Sequence, residues 1–590
     1  MTSRFARTLP FGATLTASGE TLFRLWAPAA AGVQVEVDGL PAAAMRPAKE
    51  QGWFECALPC GAGARYRFRL ANGLLVPDPA ARAQAADVHE ASLVVDPHAY
   101  PWQHPTWKGR PWTDTVLYEL HAGTCGGFKG VQGLLPDLAA LGITAVELMP
   151  VNDFPGARNW GYDGVLPFAP DRSYGTPDDL KALVDAAHGH GLMIFLDVVY
   201  NHFGPDGNYL AAYAPAFFRD DIATPWGAAI DFRRPEVRRF FTENALYWLQ
   251  EYRFDGLRFD AVHAISESDW LDEMAAEVRR TVEPGRHVHL VLEHDGNVAD
   301  HLRRDFDAQW NDDAHHVLHT LLTGQCDGYY ADYATDAAAR LARALEQGFV
   351  YQGEASTYRG GERRGTPSAD LAPTCFVLFL QNHDQIGNRP LGDRLTTLAD
   401  PQALEAAIAL QLLAPQIPLI FMGEESASET PFLFFTDHHG DLADAVRDGR
   451  RREFAGFSGF APGQGIESIP DPNEAATFER SRPQPQPARG RARAALYRAL
   501  LDLRARRLMP RLKGARAAGA TSVGPAAVVA RWRLGDGSGL TLAANLGRED
   551  VACAAATADL LFESRAGAAD RLARGTLAAF STVALLEPPP

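Results

Sequence analysis

The sequence predicts an α/β protein: a (β/α)8 barrel with an N-terminal immunoglobulin-like β-sandwich and a small C-terminal antiparallel β domain. Three observations carry that expectation. Short alternating runs divided by Gly and Pro fill residues 1–95. Apolar strands then alternate with amphipathic helices over residues 96–510, and strands return over 511–590. Strands and helices in alternation need a parallel sheet, whereas clustered short strands need a sandwich or another all-β layer.

The N-terminal strands are "ETLFRLWAP", "GVQVEVDG", "GWFECALP" and "ARYRFRL", at sandwich spacing. "VPDPAARAQ" then breaks the pattern with two prolines. The barrel opens with "TVLYELHAG" as a strand and 134–141 as a helix. "ITAVELMPV" is the next strand, followed by a helix over 176–190 with Pro177 at its start. "GLMIFLDVVYNH" precedes a helix over 235–252, and "GLRFDAV" precedes one over 269–281. "HVHLVLE" is the fifth strand. Weaker alternation follows, then "TCFVLFLQNHD", a helix near 402–413, and "IPLIFMGEE". Near-continuous apolar strands are those buried on both faces, as in parallel sheets. About eight units favour a closed barrel over an open doubly wound sheet. No G-x-G-x-x-G follows the first strand, which weakens a dinucleotide-binding reading. Residues 481–493, rich in Pro and Arg, predict a surface loop leading into a helix over 494–507. "AAVVARWRL", "GLTLAANLG" and "FSTVALLEP" are the C-terminal strands.

At 590 residues the chain is too long for one core. Its formal net charge of −17 argues against a nucleic-acid or anionic-membrane binder, since both need a basic surface. Cys56, Cys60, Cys125, Cys326, Cys375 and Cys553 show no paired metal spacing and predict reduced thiols. The first residues hold no apolar signal segment, and no apolar run approaches a membrane span. A cytoplasmic protein without a cofactor is the expectation.

In such a barrel the functional groups sit at the C-terminal ends of the strands. The third strand ends on Asp197, Asn201 and His202. The fourth ends on Arg258, Asp260 and His263, the fifth on Glu293, and the seventh on His383 and Asp384. One aspartate at a strand end is commonly a helix cap. Acids ending strands four, five and seven together are better explained by chemistry. Two carboxyls flanking one bond are the apparatus of glycoside hydrolysis, one attacking and one protonating the leaving oxygen. Arg258 precedes Asp260 by two residues, so both point to the same face, and the guanidinium favours the ionised carboxylate. Glu293 has no cation fixed beside it by sequence, so burial and neighbouring negative charge favour its protonated form.

"DVVYNH", "GLRFDAVH", "LVLEH" and "FLQNHD" resemble the four ordered sequence regions of the α-amylase family of retaining glycoside hydrolases. The resemblance implies Asp260 as nucleophile, Glu293 as general acid/base, and Asp384 as the residue that binds sugar hydroxyls and stabilises the transition state. It implies His202 and His383 as holders of the −1 sugar and Tyr162 of "NWGYDG" as an aromatic platform beneath it. Arg258, Asp197 and His263 complete the expected substrate-binding set. Some members bind calcium at the position matching Asn201; here the following loop offers only Asp206, Asp220 and Asp221, so Asn201 is expected to be structural and no metal obligatory.

Four further stretches narrow the resemblance to the trehalose-releasing branch of that family: "FPGARNWGYDGVLPFAP", "FLQNHDQIGNRPLGDR", "LIFMGEESASETPFLFFTDH" and "RREFAGF…IPDPNEAATFERS". The implied substrate is a maltooligosyl trehalose, and the implied functional partner is a maltooligosyltrehalose synthase, without a stable complex. Recognition of trehalose is expected in the loops after strands six to eight. There Tyr358 and Phe434 are candidate stacking surfaces, and Glu425, Arg447 and Arg450 candidate polar clamps. The loop "HAGTCGGFKGV" departs from the family pattern, and His294 directly follows the acid; no role is transferred to either. A glucan-branching enzyme and a general α-1,4-glucan hydrolase remain as alternatives of the same chemistry. A non-catalytic glucan-binding barrel is disfavoured by the three carboxyls, and a phosphate-binding barrel by the acidic "FMGEESASE".

Overall fold

The computed structural model describes residues 5–224, 227–454 and 465–589. The first four residues of the N-terminal region, Pro590 and the end of the "RREFAGF" stretch lie outside the described residues. Near the N-terminus, Thr21–Trp26 lies between Gly12–Leu15 and Trp53–Leu58 in one antiparallel sheet, and Val33–Val37 pairs with Arg65–Leu70 in a second. Phe23, Leu25, Val33, Val35, Tyr66 and Phe68 alternate inward and are buried, as a period of two requires.

The barrel is closed and wholly parallel. Its strands are β1 (Leu117–Leu120), β2 (Ala145–Leu148), β3 (Met193–Val198), β4 (Gly256–Phe259), β5 (His289–Leu292), β6 (Ala308–Trp310), β7 (Phe376–Phe379) and β8 (Ile417–Phe421). They pair in chain order, and β8 returns to β1. Every residue in them is buried. Met193, Phe195, Val291, Trp310, Phe379 and Leu419 belong to one cluster separate from the main core, which is the packed interior of a barrel. Gly256 opens β4 because the Phe195 ring lies against it: a Cβ there would stand 2.1 Å from a ring carbon.

The helices that position the site are α1 (Gly127–Leu141), α2 (Pro177–Gly189), α3 (Pro235–Gln250), α4 (Asp269–Thr281), α5 (Asp312–Thr323), α6 (Ala337–Gln347), α7 (Pro401–Leu413), α8 (Gly440–Phe454) and α9 (Pro487–Leu503). At the start of α2, Thr176 and Asp179 form a capping box with Pro177 in the first turn. Two sequence expectations are corrected. Helix α1 begins at Gly127, seven residues before 134, despite its glycines and the internal Pro136. Helix α9 begins at Pro487, inside the stretch read as a loop.

The C-terminal sheet is antiparallel, ordered Arg516–Gly524, Ala527–Arg533, Gly539–Asn545, Ser581–Glu587, Asp559–Glu563. It rests on the barrel through a Thr582 hydroxyl that donates to the Ala406 carbonyl of α7 at 2.7 Å. The N-terminal sheets are fastened by buried charges. The Arg82 guanidinium meets Glu251, just after α3, at 3.4 Å, and donates to the Arg7 and Ala13 carbonyls. No helix among the described residues is long and apolar enough to cross a membrane.

Candidate active site

The ends of β3, β4 and β5 meet at Arg258. Its Nη1 donates to Asp197 Oδ2 at 2.5 Å and to Asp260 Oδ1 at 2.8 Å, while Nη2 lies 2.9 Å from Glu293 Oε2. Trp310 of β6 lies under the guanidinium, 4.3 Å from its ring centroid. One planar cation therefore fixes carboxyls from three strands in a set geometry. Asp260 Oδ2 accepts a second bond from Asn201 Nδ2 at 3.2 Å, and the same amide is 3.3 Å from the Ala261 carbonyl. The Ala261 backbone is left-handed, with φ of 40°, and its N–H donates to Glu293 Oε2 at 2.8 Å. Such a conformation costs about 1–3 kcal/mol and persists where the surroundings enforce it.

A second net enters from β1, β3 and β7. Tyr162 donates its hydroxyl proton to Asp197 Oδ2 at 2.6 Å and lies 2.8 Å from His383 Nε2, with the two rings stacked at 5.1 Å. His383 Nδ1 bonds Glu119 of β1, whose other oxygen accepts the His383 backbone N–H at 3.1 Å. His202 Nε2 lies 3.0 Å from the Tyr162 carbonyl, and its Nδ1 meets Asn201 Oδ1. Asp384 accepts from Asn388 Nδ2 at 2.5 Å.

The electrostatics follow from burial and from these partners. Burial pushes the Glu293 carboxyl up, the Arg258 charge opposes it, and the Asp260 charge adds to it. Burial also raises Asp384, against His383 and Arg258, with Glu293 adding to it. Asp197 is pushed up to about 7 by burial, with Arg258 opposing. His202 is lowered to about 4 by burial. Burial acts to lower His383, but the Glu119 carboxylate outweighs it and the imidazole is raised. The arrangement offers a doubly hydrogen-bonded aspartate beside a glutamic acid whose carboxyl is pushed towards its protonated form, which suits displacement at one carbon with protonation of the departing oxygen.

These groups open into a cleft of about 460 Å³. It brings together Tyr162, His202, Arg258, Asp260, His263, Glu293, His383 and Asp384, together with Tyr358 and Phe434. Asp197 lies beneath its floor. His263 stands exposed at the rim, its Nδ1 accepting from the Asp295 N–H at 3.4 Å. His294 is neutral, lowered to about 4 by burial, and its Nδ1 accepts from the Gly296 N–H.

Three expected clamps are corrected. Glu425 does not line the cleft; it accepts from the Tyr118 hydroxyl and the Gly423 N–H. Arg447 of α8 is paired with Asp444, Asp448 and Asp471. Arg450 stands behind the wall, 5.2 Å over the Phe434 ring, and donates to the Gly387 carbonyl and to Asn388 Oδ1.

Residues that the sequence reading passed over also line the cleft: Trp160, Asp295, Asp312, Tyr329, Arg359 and Arg364. Trp160 stands two residues before Tyr162 and could have been read with it. Asp312 opens α5, two residues after a strand too short to show a period. The loop carrying Tyr358 and Arg359 is latched below: Arg364 donates to Asp313 Oδ1 at 2.6 Å and to the Asp295 carbonyl at 2.6 Å, and Asp332 Oδ1 accepts the Tyr358 N–H at 2.9 Å.

Comparison with known proteins adds the following. Residues 100–215 match the α-amylase catalytic domain, 10–99 match carbohydrate-binding module 48 (isoamylase N-terminal domain), and 515–584 match a domain of unknown function, DUF3459. The malto-oligosyltrehalose trehalohydrolase of Deinococcus radiodurans is 44% identical over 84% of this chain and 82% of its own. That of Saccharolobus solfataricus is 38% identical over 80% of this chain and 83% of its own. The 1,4-alpha-glucan branching enzyme GlgB of Corynebacterium jeikeium is 36% identical over only 43% of this chain and 40% of its own. A crystal structure of a putative alpha amylase from Salmonella typhimurium superposes with a TM-score of 0.92 at 42% identity, covering 99% of this chain and all of that one.

Proposed function

Because the chain belongs to the malto-oligosyltrehalose trehalohydrolases of the α-amylase family, we propose that it hydrolyses the α-1,4 bond next to the terminal trehalose of a maltooligosyl trehalose. The products are trehalose and a shortened maltooligosaccharide. The observation that carries the mechanism is the single Arg258 guanidinium that binds Asp260 on one nitrogen and Glu293 on the other. Two carboxyls within the span of one guanidinium suit the ~5–5.5 Å separation of a retaining pair better than the ~6.5–9.5 Å of an inverting one.

Asp260 attacks the anomeric carbon while Glu293 gives its proton to the glycosidic oxygen. That bond breaks, trehalose leaves, and the maltooligosyl group stays on Asp260 as an ester. Glu293, now ionised, takes a proton from water as the water attacks the same carbon, which frees Asp260 and restores the α configuration. Asp384 and His383 hold hydroxyls of the −1 sugar, with His202 and Tyr162 shaping its seat. Asp197 and Arg258 fix the nucleophile from below, and His263 guards the rim. Tyr358 and Phe434 are the stacking surfaces of the trehalose side, and Arg450 supports Phe434.

We assign the sandwich, barrel and C-terminal domain to residues 1–95, 96–510 and 511–590. We place the enzyme in the cytoplasm, in trehalose biosynthesis, using the product of a maltooligosyltrehalose synthase. The test is the disaccharide released from a maltooligosyl trehalose: trehalose supports the reading. Equal cleavage of a plain maltooligosaccharide makes the chain a general α-1,4-glucan hydrolase. An altered iodine stain on amylose without trehalose makes it a branching enzyme.

A further inference from the structure

The segment after β6 reads Asn311–Asp312–Asp313, and the three side chains have different fates. Asn311 caps α5, accepting the Ala314 N–H at 3.2 Å and donating to the Gly348 carbonyl at 2.8 Å. Asp313 is saturated. It accepts from Arg364, from the Tyr333 hydroxyl, from Asn297, and from the backbone N–H groups of Val350 and Tyr351, all at 2.6–2.9 Å. Asp312, between them, faces the cleft. Among the described residues its carboxyl has one protein hydrogen bond, from Gln385 Nε2 at 3.4 Å. Gln385 in turn accepts from the Tyr329 hydroxyl at 3.4 Å.

The contrast with the floor of the site is sharp. Around Arg258 the bonds are 2.5–2.9 Å, and the groups are committed to one another. Around Asp312 they are long, although its neighbours on both sides in sequence are locked. The carboxyl is thus held rigidly in place with its hydrogen-bonding capacity unspent. A polar group left open in a partly desolvated cleft is unfavourable until something pairs with it. Burial raises its carboxyl well above the usual carboxylate range, Glu293, Asp295 and Asp384 facing it add to this, and Arg364 opposes. Glu293 is the proton donor to the leaving sugar. Asp295 and Arg364 anchor the loop that carries Tyr358. Both place Asp312 on the leaving-group side.

We propose that Asp312 and Gln385 form an acceptor–donor pair that binds hydroxyls of the departing trehalose, making Asp312 a specificity-determining residue of the product side. This rests on the trehalohydrolase reading above. A vicinal diol of glucose suits the pair, since one hydroxyl hydrogen-bonds the Asp312 carboxyl and the next accepts from the amide. A leaving group whose hydroxyls miss it leaves the carboxyl unpaired, which is how a polar site rejects a wrong ligand.

The experiment uses the full-length enzyme with Asp312→Ala and Asp312→Asn, the second keeping the shape should the first fail to fold. Three quantities are measured: kcat/KM on a maltooligosyl trehalose, the inhibition constant of trehalose, and the pH profile. Asp312→Ala should lower kcat/KM roughly 10–100-fold and weaken trehalose inhibition by a similar factor, with Asp312→Asn between it and the wild type. Loss of the facing carboxyl can move the alkaline limb, set by the acid, only towards lower pH, and the falls in kcat/KM and in trehalose inhibition should persist on its acid side. Unchanged trehalose inhibition in both variants overturns the proposal. So does a loss that appears only as a displaced alkaline limb, because Asp312 would then act through Glu293. A wild type that releases no trehalose overturns the parent reading instead, a separate outcome from equal behaviour of variant and wild type.

Discussion

At the scale of single residues, the site is a contest over one cation. Arg258 serves Asp197, Asp260 and Glu293 together, so removing a carboxyl's charge should alter chemistry far more than fold. Asp260→Asn and Glu293→Gln should each lower kcat by about 10²–10⁴-fold or more, with the melting temperature nearly kept and substrate binding retained. Steady-state kinetics with calorimetry checks this, and a variant keeping a tenth of the wild-type rate would unseat its assignment. NMR of the first-formed maltooligosaccharide should show the α anomer; an initial β anomer excludes the ester on Asp260. Phe434→Ala should reduce kcat/KM on maltooligosyl trehalose by roughly 1–3 kcal/mol more than on plain maltooligosaccharide. Arg450→Ala, which removes the backing of that ring together with the bonds to Gly387 and Asn388, should give a smaller difference of the same sign. Equal losses on both substrates would make Phe434 part of the general wall.

At the scale of elements, seven of the eight barrel strands were legible, because four to six consecutive buried residues leave an apolar run that composition alone exposes. The sixth was not: Ala308–Trp310 has three residues and a glutamine at its centre. Asp312 was lost with it. The acids after β4, β5 and β7 were readable because each follows a mostly apolar strand. The reach of Glu425 and Arg447 was not, since loop side chains are aimed by contacts distant in sequence. Helix α5 carries a property no pattern announces. His315, His316 and His319 are all buried, and burial lowers all three, His316 to about 4 and His319 to about 3, with His315 well below its usual value. An unfolded histidine titrates near 6.5. Between that value and the folded ones the unfolded chain binds more protons, so stability is full above pH 6.5 and falls as the pH drops towards 4. His316 and His319 each contribute on the order of 3 kcal/mol or more to that fall, and His315 adds in the same direction. The denaturant midpoint should be lower at pH 5 than at pH 7.5, and His319→Gln should shrink the difference. An unchanged difference would assign the acid sensitivity elsewhere.

At the scale of the whole molecule, the N-terminal sheets and the barrel are joined by charges that are themselves buried. Glu251 meets Arg82 at 3.4 Å, accepts the Arg7 N–H at 3.1 Å and lies 4.0 Å from Lys181 of α2. Phe11 packs edge-on against Phe240 of α3 beside them. Removing one partner strands the other in the interior, so Arg82→Ala should cost about 3 kcal/mol of unfolding free energy. The cleft is built by other strands, so kcat below the transition should stay within about twofold of the wild type. A large loss of kcat in the folded variant would show that the sandwich shapes the cleft. The same junction bears on how the chain is made. Arg82 leaves the ribosome 169 residues ahead of Glu251, and at roughly 5–20 residues per second that interval lasts about 10–30 s. For that time the newborn sandwich carries an arginine whose counter-charge has not yet been translated, and the first domain to be synthesised is completed only when α3 arrives to receive it.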